Sequence, residues 1–307
     1  MKTTQNTTVL SPQQQNVLNR LLPVAKIATN GSLAGLPVQP RTHSLVIGPS
    51  GGGKSFLGRT FGARLGLPTM VINVSSWVVL SARNEPWTFS SICQWLDSLQ
   101  GGGILILDEV DKLQGTGDWN AYIRHEAHDL LDGVIPLAAR LPITPMDDDP
   151  SELQFSIDPP LMVDREVLEK RLKERVFIMA CGAWQSAWRG NTRKLGFSQG
   201  ESAVELPSHE QILQSIEVEL RQRFRNEVCW LPPMKKTDYQ TVSLEIAKHL
   251  RNPRARNTWN RLAGAAIEEA VAAGLGFRVF EELMLSVLLK TPEFEEPAME
   301  DYNLPDV

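Results

Sequence analysis

Apolar positions recur at helical spacing from Gln13 to Thr29 and stop at Asn30-Gly31, which predicts a helix closed by a turn. A Gly/Pro loop follows, to Pro40. Ser44 to Ile47 is a short apolar run, succeeded by a glycine cluster and a predicted helix over Phe56 to Leu65. Met70 to Val74 is a β-branched run, Phe89 to Leu99 is again helical, and Gly101 to Gly103 punctuate before the buried-strand pattern Ile104 to Leu107. Strands that alternate with helices predict parallel pairing with helices on both faces. Beyond Trp119 a helix is predicted to about Leu131, then an exposed loop or hairpin over Pro142 to Pro160, which holds Asp147, Asp148, Asp149 and several prolines. Arg165 to Arg175 reads as a solvated helix, because Glu166, Glu169 and Glu174 balance its basic residues. It leads into Val176 to Ala180, a further strand, and Gly190 to Pro207 reads as a surface loop.

Ile212 to Phe224 is helical in pattern, and Pro232-Pro233 marks a break. After it only helices are predicted, near Thr237 to Leu250, Asn257 to Ala273 and Phe277 to Leu289. Thr291 to Val307 carries six acidic residues and no basic one, the signature of a mobile tail. The expected organisation is an α/β domain over residues 1–232, a small all-α domain over 233–292 and an acidic flexible tail over 293–307. No internal repeat interrupts it.

Composition narrows the classes. A chain of 307 residues, 42% hydrophobic, is long enough for one large buried core plus a smaller one. A net charge of −5 gives little general attraction to phosphate backbones, so DNA binding is left to local basic patches. Cys93, Cys181 and Cys229 form no CxxC pair and sit among apolar neighbours, as buried free thiols do in a reducing compartment. Met1 to Asn16 is polar, without the apolar stretch of a signal peptide, and no run reaches membrane-spanning length; a cytoplasmic protein is expected. The eight tryptophans read as core and interface packing.

The strongest chemical signal is Gly48-Pro49-Ser50-Gly51-Gly52-Gly53-Lys54-Ser55, followed by Phe56, a match to the phosphate-binding pattern G-x-x-x-x-G-K-[ST]. Glycines let the loop turn its backbone N–H groups toward phosphates, and the following helix adds its positive end. Lys54 is expected to reach the β- and γ-phosphates of ATP, and the Ser55 hydroxyl to ligate Mg²⁺. The second element is Ile104-Leu105-Ile106-Leu107-Asp108-Glu109. A buried strand ending in two carboxylates delivers them to the sheet edge where α/β folds bind ligands. Asp108 is expected to hold Mg²⁺ through its water shell and Glu109 to polarise the attacking water.

Ile104 to Leu113 (ILILDEVDKL) resembles the Walker B segment of AAA+ ATPases of the Clp/HslU type, and the likeness extends over most of the chain. His128 to Pro136 resembles the helix that follows in that family, and Met179 to Gln185 (MACGAWQ) its sensor-1 strand, with Cys181 in place of the usual small polar residue. Glu219 to Phe224 (ELRQRF) resembles the arginine-finger segment, which implies that role for Arg223, with Arg225 as its rival. Gly276-Phe277-Arg278 resembles the sensor-2 motif, implying Arg278 near the γ-phosphate. The resemblance implies a P-loop AAA+ parallel-sheet domain with a helical lid, assembled as a ring, hexameric in the family, in which one subunit's arginine serves its neighbour's ATP.

There are departures. The family's Gly-Tyr-Val-Gly pore loop is missing; Ala82 to Phe89 stands in its place, with Trp87 as the aromatic that would grip a polypeptide or simply pack. Leu195-Gly196-Phe197 resembles the tripeptide by which related rings dock on a protease, and a Gly-containing apolar turn reads the same way. Two functions therefore stand: a ring that remodels or unfolds a protein partner, and an ATP-dependent oligomeric switch acting with a partner complex on DNA, as in transposition, replication or phage defence. A small-molecule kinase would leave Arg223, the all-α domain and the Asp-Glu pair without a use.

Overall fold

The computed structural model describes residues 9–81, 87–114, 118–135, 164–184, 208–225 and 227–291. These residues group into two compact units, the larger drawn from 13–49 and 54–232 and the smaller from 9–12, 50–53 and 233–291. The larger unit is built on five parallel strands, β1 (Ser44–Ile47), β2 (Thr69–Asn73), β3 (Gly103–Asp108), β4 (Val176–Gly182) and β5 (Cys229–Trp230), in the order β2-β3-β4-β1-β5. Parallel strands are covered on both faces, so they run apolar without alternation. Every residue of β1 and β4 is buried, and β3 is buried until Asp108, the first residue to approach solvent. Each buried Val, Leu, Ile, Phe or Met among them contributes about 1.5–3 kcal/mol by leaving water.

Eight helices of this unit lie among the described residues: α1 (Pro12–Thr29), α2 (Lys54–Leu65), α3 (Val74–Ser81), α4 (Trp87–Ser98), α5 (Asp118–Leu131), α6 (Arg165–Arg175), α7 (His209–Gln214) and α8 (Val218–Arg221). The seating of α2 matters most, because Lys54 and Ser55 open it. A Cβ on Gly58 would lie 2.6 Å from Ile106 Cδ1 and 2.7 Å from Met179 Cε, so glycine lets the helix press on β3 and β4. Phe61 packs on Phe177, ring centroids 5.5 Å apart.

The smaller unit holds α9 (Lys236–His249), α10 (Pro253–Ala273) and α11 (Arg278–Leu289) around their own core. Trp259 stacks on Phe280 at 6.2 Å and donates its indole N–H to the Ser243 carbonyl and hydroxyl. Among the described residues no helix is long and apolar enough to cross a membrane. The three cysteines are buried and unbonded.

Several elements differ from the sequence reading. The helix α3 begins directly at Val74, where the β-branched run was expected to stay extended, and its Trp77 is buried, edge-on to Phe89 at 5.5 Å with its indole N–H given to Glu126 at 3.0 Å. The helix expected over 212–224 is two short ones, broken at Ser215 to Glu217; Gln114 Nε2 donates to the freed Ser215 carbonyl at 3.2 Å. The capping box at Ser208 starts α7 earlier than its apolar residues do. Likewise α10 starts at Pro253, not Asn257, because Asn252 accepts from the N–H groups of Arg254 and Ala255 and proline suits the first helical position. β5 is two residues long, too short to show a pattern. The loops expected over 142–160 and 190–207, the tripeptide 195–197 and the acidic tail lie outside the described residues.

Candidate functional site

The residues singled out by the sequence lie at and just beyond the ends of β1 and β3. Gly48 continues β1, its N–H donating to the Gly182 carbonyl at 3.2 Å, and a Cβ there would lie 2.5 Å from the Leu231 carbonyl oxygen. Lys54, on the first turn of α2, is only 8% exposed, and its ammonium donates to the carbonyls of Gly48 at 2.8 Å and Pro49 at 2.9 Å. Burial lowers its pKa, while Cys181, Asp108, Asp111 and Glu109 pull the other way. The cation is thus curled into its own loop, close to where phosphate oxygens would compete for it. Phe56 follows on the exposed side of α2.

Ser55 Oγ donates to Asp108 Oδ2. A hydroxyl and a carboxylate meeting at a helix start are hard oxygen donors, the set a Mg²⁺ ion takes. Among the described residues no three of His, Cys, Asp and Glu gather into a metal cage.

Glu109 has φ 59°, a left-handed conformation that costs a non-glycine residue about 1–3 kcal/mol unless its surroundings impose it. The surroundings do. Its N–H donates to Asp108 Oδ1 at 3.0 Å, and its Oε2 accepts from Ser75 Oγ at 2.6 Å, on the first turn of α3. The next turn, Val110–Gln114, is pinned to the end of β4: Asp111 Oδ1 accepts from Ala183 N–H at 3.1 Å, and Gln114 accepts from the Trp184 indole. Trp184 also has positive φ, 46°. Ser75, Asp111, Gln114 and Trp184 did not emerge from the sequence. Asp111 lies within the run ILILDEVDKL and Trp184 within MACGAWQ, but neither run marks them apart from their neighbours.

Cys181 sits fully buried on β4, paired in register with Val46. Burial, reinforced by Asp108, pushes its thiol far up and keeps it neutral, with Lys54 opposing. A neutral thiol here is a weak hydrogen-bond donor beside the loop lysine.

The structure brings Gly48, Pro49, Lys54, Ser55, Asp108, Glu109 and Cys181 together. Arg223 stands apart from them: its Nε donates to Asp132 Oδ2 at 3.0 Å and its Nη1 to the Glu219 carbonyl at 2.8 Å, so two anchors orient the guanidinium. Its rival Arg225 pairs with Glu227 at 3.2 Å, and its N–H donates to the His43 carbonyl at 3.0 Å. Trp87 opens α4, and residues 82–86 of the expected pore loop lie outside the described residues.

Ser50, Gly51, Gly52 and Gly53 group with the smaller unit. There Phe277 N–H donates to the Gly51 carbonyl at 3.0 Å, and Gly276 N–H to the Tyr239 hydroxyl at 3.1 Å. Glycine is needed at 51 twice over, for φ 78° and because a Cβ would lie 2.7 Å from the Leu275 carbonyl oxygen. Arg278, exposed, takes the first position of α11 directly after this contact.

Residues 44–135, from β1 to just beyond α5, match the model of the ATPase family associated with various cellular activities, AAA. No curated protein matches the chain. The match supports an AAA+ ATPase, and the five-stranded parallel sheet followed by helices fits an α/β P-loop domain with a helical lid.

Proposed function

We propose that the protein binds ATP with Mg²⁺ at Gly48 to Ser55 and hydrolyses it as part of an AAA+ ring that remodels a protein partner. The observation that carries the catalytic part is the meeting of Ser55 with Asp108 beside a Glu109 held in a strained, hydrogen-bonded pose.

In this reading the Gly48 to Gly53 backbone and the α2 N-terminus receive the phosphates, and Lys54 exchanges its carbonyl partners for phosphate oxygens. Ser55 and Asp108 would hold Mg²⁺, which when bound neutralises charge on the β- and γ-phosphates. Glu109 accepts a proton from the attacking water, and its fixed backbone aims the carboxylate. Cys181 and Arg278 sense the γ-phosphate from the same chain, and Arg223 supplies a guanidinium to the neighbouring subunit. Hydrolysis then drives the partner through lid movement between subunits. Clp/HslU-type kinship, a hexamer and the partner itself belong to this proposal. So does the ATP-dependent switch on DNA, which shares the same site chemistry.

The test is paired. Lys54→Ala should lose nucleotide binding by calorimetry. Glu109→Gln should keep binding and lose turnover by at least about a hundredfold, the size of a general-base contribution. Tight ATP binding by Lys54→Ala, or undiminished turnover by Glu109→Gln, would overturn the assignment.

A further inference from the structure

Ser75 holds Glu109 from the first turn of α3, and the contacts that seat α3 lie on its opposite side. The helix follows β2 with no loop between them. Asn73 ends the strand, in register with Asp108, and its Oδ1 accepts from the Ser76 N–H at 3.2 Å. That join fixes where α3 starts, while its direction depends on what it packs against. Ser75 and Trp77 are two positions apart, about 200° around a helix, so Trp77 faces away from Glu109. Trp77 is 1% exposed, meets Phe89 of α4 edge-on and gives its indole N–H to Glu126 Oε2 of α5 at 3.0 Å. Glu126 is an unusual residue to find there. It is half-buried between the fully buried Ile123 and Ala127, and among the described residues its hydrogen-bond donor is the indole and no cation pairs with it. Burial raises its pKa, the indole bond opposes this and Asp129 adds to it. A carboxyl group kept in such a place, where an apolar side chain would pack without the desolvation cost, has its bond to Trp77 as its evident use.

We propose that Glu126 is a positioning residue for ATP hydrolysis: by holding the Trp77 indole it sets the pose of α3, and so how firmly Ser75 restrains Glu109. The inference rests on the reading of Glu109 as the group that takes a proton from the attacking water. Two opposed ties fix the short helix, Ser75 to Glu109 on one side and Trp77 to Glu126 on the other. Without the second tie the buried indole N–H has no acceptor, and an unpaired buried donor moves toward water if it can. Trp77 is rigidly joined to Ser75 through one helical turn, so its displacement draws the hydroxyl away from the Glu109 carboxylate. Glu109 then turns to the water at lower cost. Glu126 touches neither nucleotide nor Glu109 in this scheme and acts only through α3.

The experiment is steady-state ATP turnover of the full chain in two backgrounds, native and Ser75→Ala. In the native background Glu126→Ala should raise kcat about twofold to fivefold, within what one hydrogen bond accounts for. KM for ATP should not move, since Lys54 and the glycine loop are untouched. Glu126→Gln keeps an oxygen for the indole and should turn over at the native rate. In the Ser75→Ala background Glu126→Ala should add nothing, because the tie it acts through is already cut. A merely structural role would give losses of similar size in both backgrounds. An unchanged or lower kcat for Glu126→Ala, a glutamine variant that behaves like alanine, or an equal gain in the Ser75→Ala chain would each overturn the proposal. Glu109→Gln, measured alongside, separates the two levels. Full turnover by that variant removes the general-base reading and this inference with it. Lost turnover there, with no response to Glu126→Ala, removes the inference alone.

Discussion

At the scale of single residues, the site is arranged by hydrogen bonds to charged groups more than by packing. Such bonds contribute about 1.5–3 kcal/mol, enough to change a rate tenfold or more. Ser75 is the sharpest case, because its hydroxyl lies 2.6 Å from the Glu109 carboxylate, which in the proposed mechanism must take a proton from water. Breaking that bond is part of the cost of reaching the water, so Ser75→Ala should raise basal ATP turnover about threefold to tenfold, while Ser75→Thr, which keeps the hydroxyl, should leave it unchanged. A fall in steady-state turnover for the alanine variant would mean that Ser75 instead holds Glu109 in its working pose. None of this was legible from the residue itself, since a serine in the run Val-Ser-Ser-Trp carries no signal until α3 folds across the end of β3.

Elements meet at joins that the chain closes with polar groups. His43, just before β1, is one: its Nδ1 is buried without a partner, its ring bonds the Leu131 backbone at the end of α5, and burial lowers its pKa to about 4 despite the pull of Asp132. The sign follows from the two states. An unfolded histidine takes its proton near 6.5 and the folded one near 4, so between those values the unfolded chain binds more protons. This contribution to stability is full above about 6.5 and is lost as pH falls toward 4. Urea midpoints measured from pH 7 to 4.5 should therefore drop more steeply for the native chain than for His43→Phe, and parallel curves would remove His43 from the account. At this scale the strands β1, β3 and β4 were readable from their apolar runs, and most helices from their spacing. What escaped were α3, the split of 212–224 and β5, because in each a tertiary contact outweighs a weak local preference.

For the whole molecule the central prediction concerns assembly. If Arg223 serves a neighbour's ATP, Arg223→Ala and Lys54→Ala subunits are each inactive alone, yet mixing them should restore a fraction of turnover, since some interfaces then pair an intact loop with an intact arginine. Mixed assemblies with no recovered activity, mixing being verified by mass, would assign Arg223 to its own chain or to the Asp132 pair alone. By itself the sequence determined where the two local patterns behind the proposed site lie. A glycine-rich loop ending in Lys-Ser and an apolar strand ending in Asp-Glu are local patterns, written in neighbouring residues, and so is the alternation that implies a parallel sheet. Only the tertiary structure decided that Ser55 meets Asp108 across 53 positions, that Ser75 restrains Glu109 and that Asp132 and Glu219 orient Arg223. Those pairings depend on the sheet order β2-β3-β4-β1-β5 and on helices seated against it, which set distances between residues far apart along the chain.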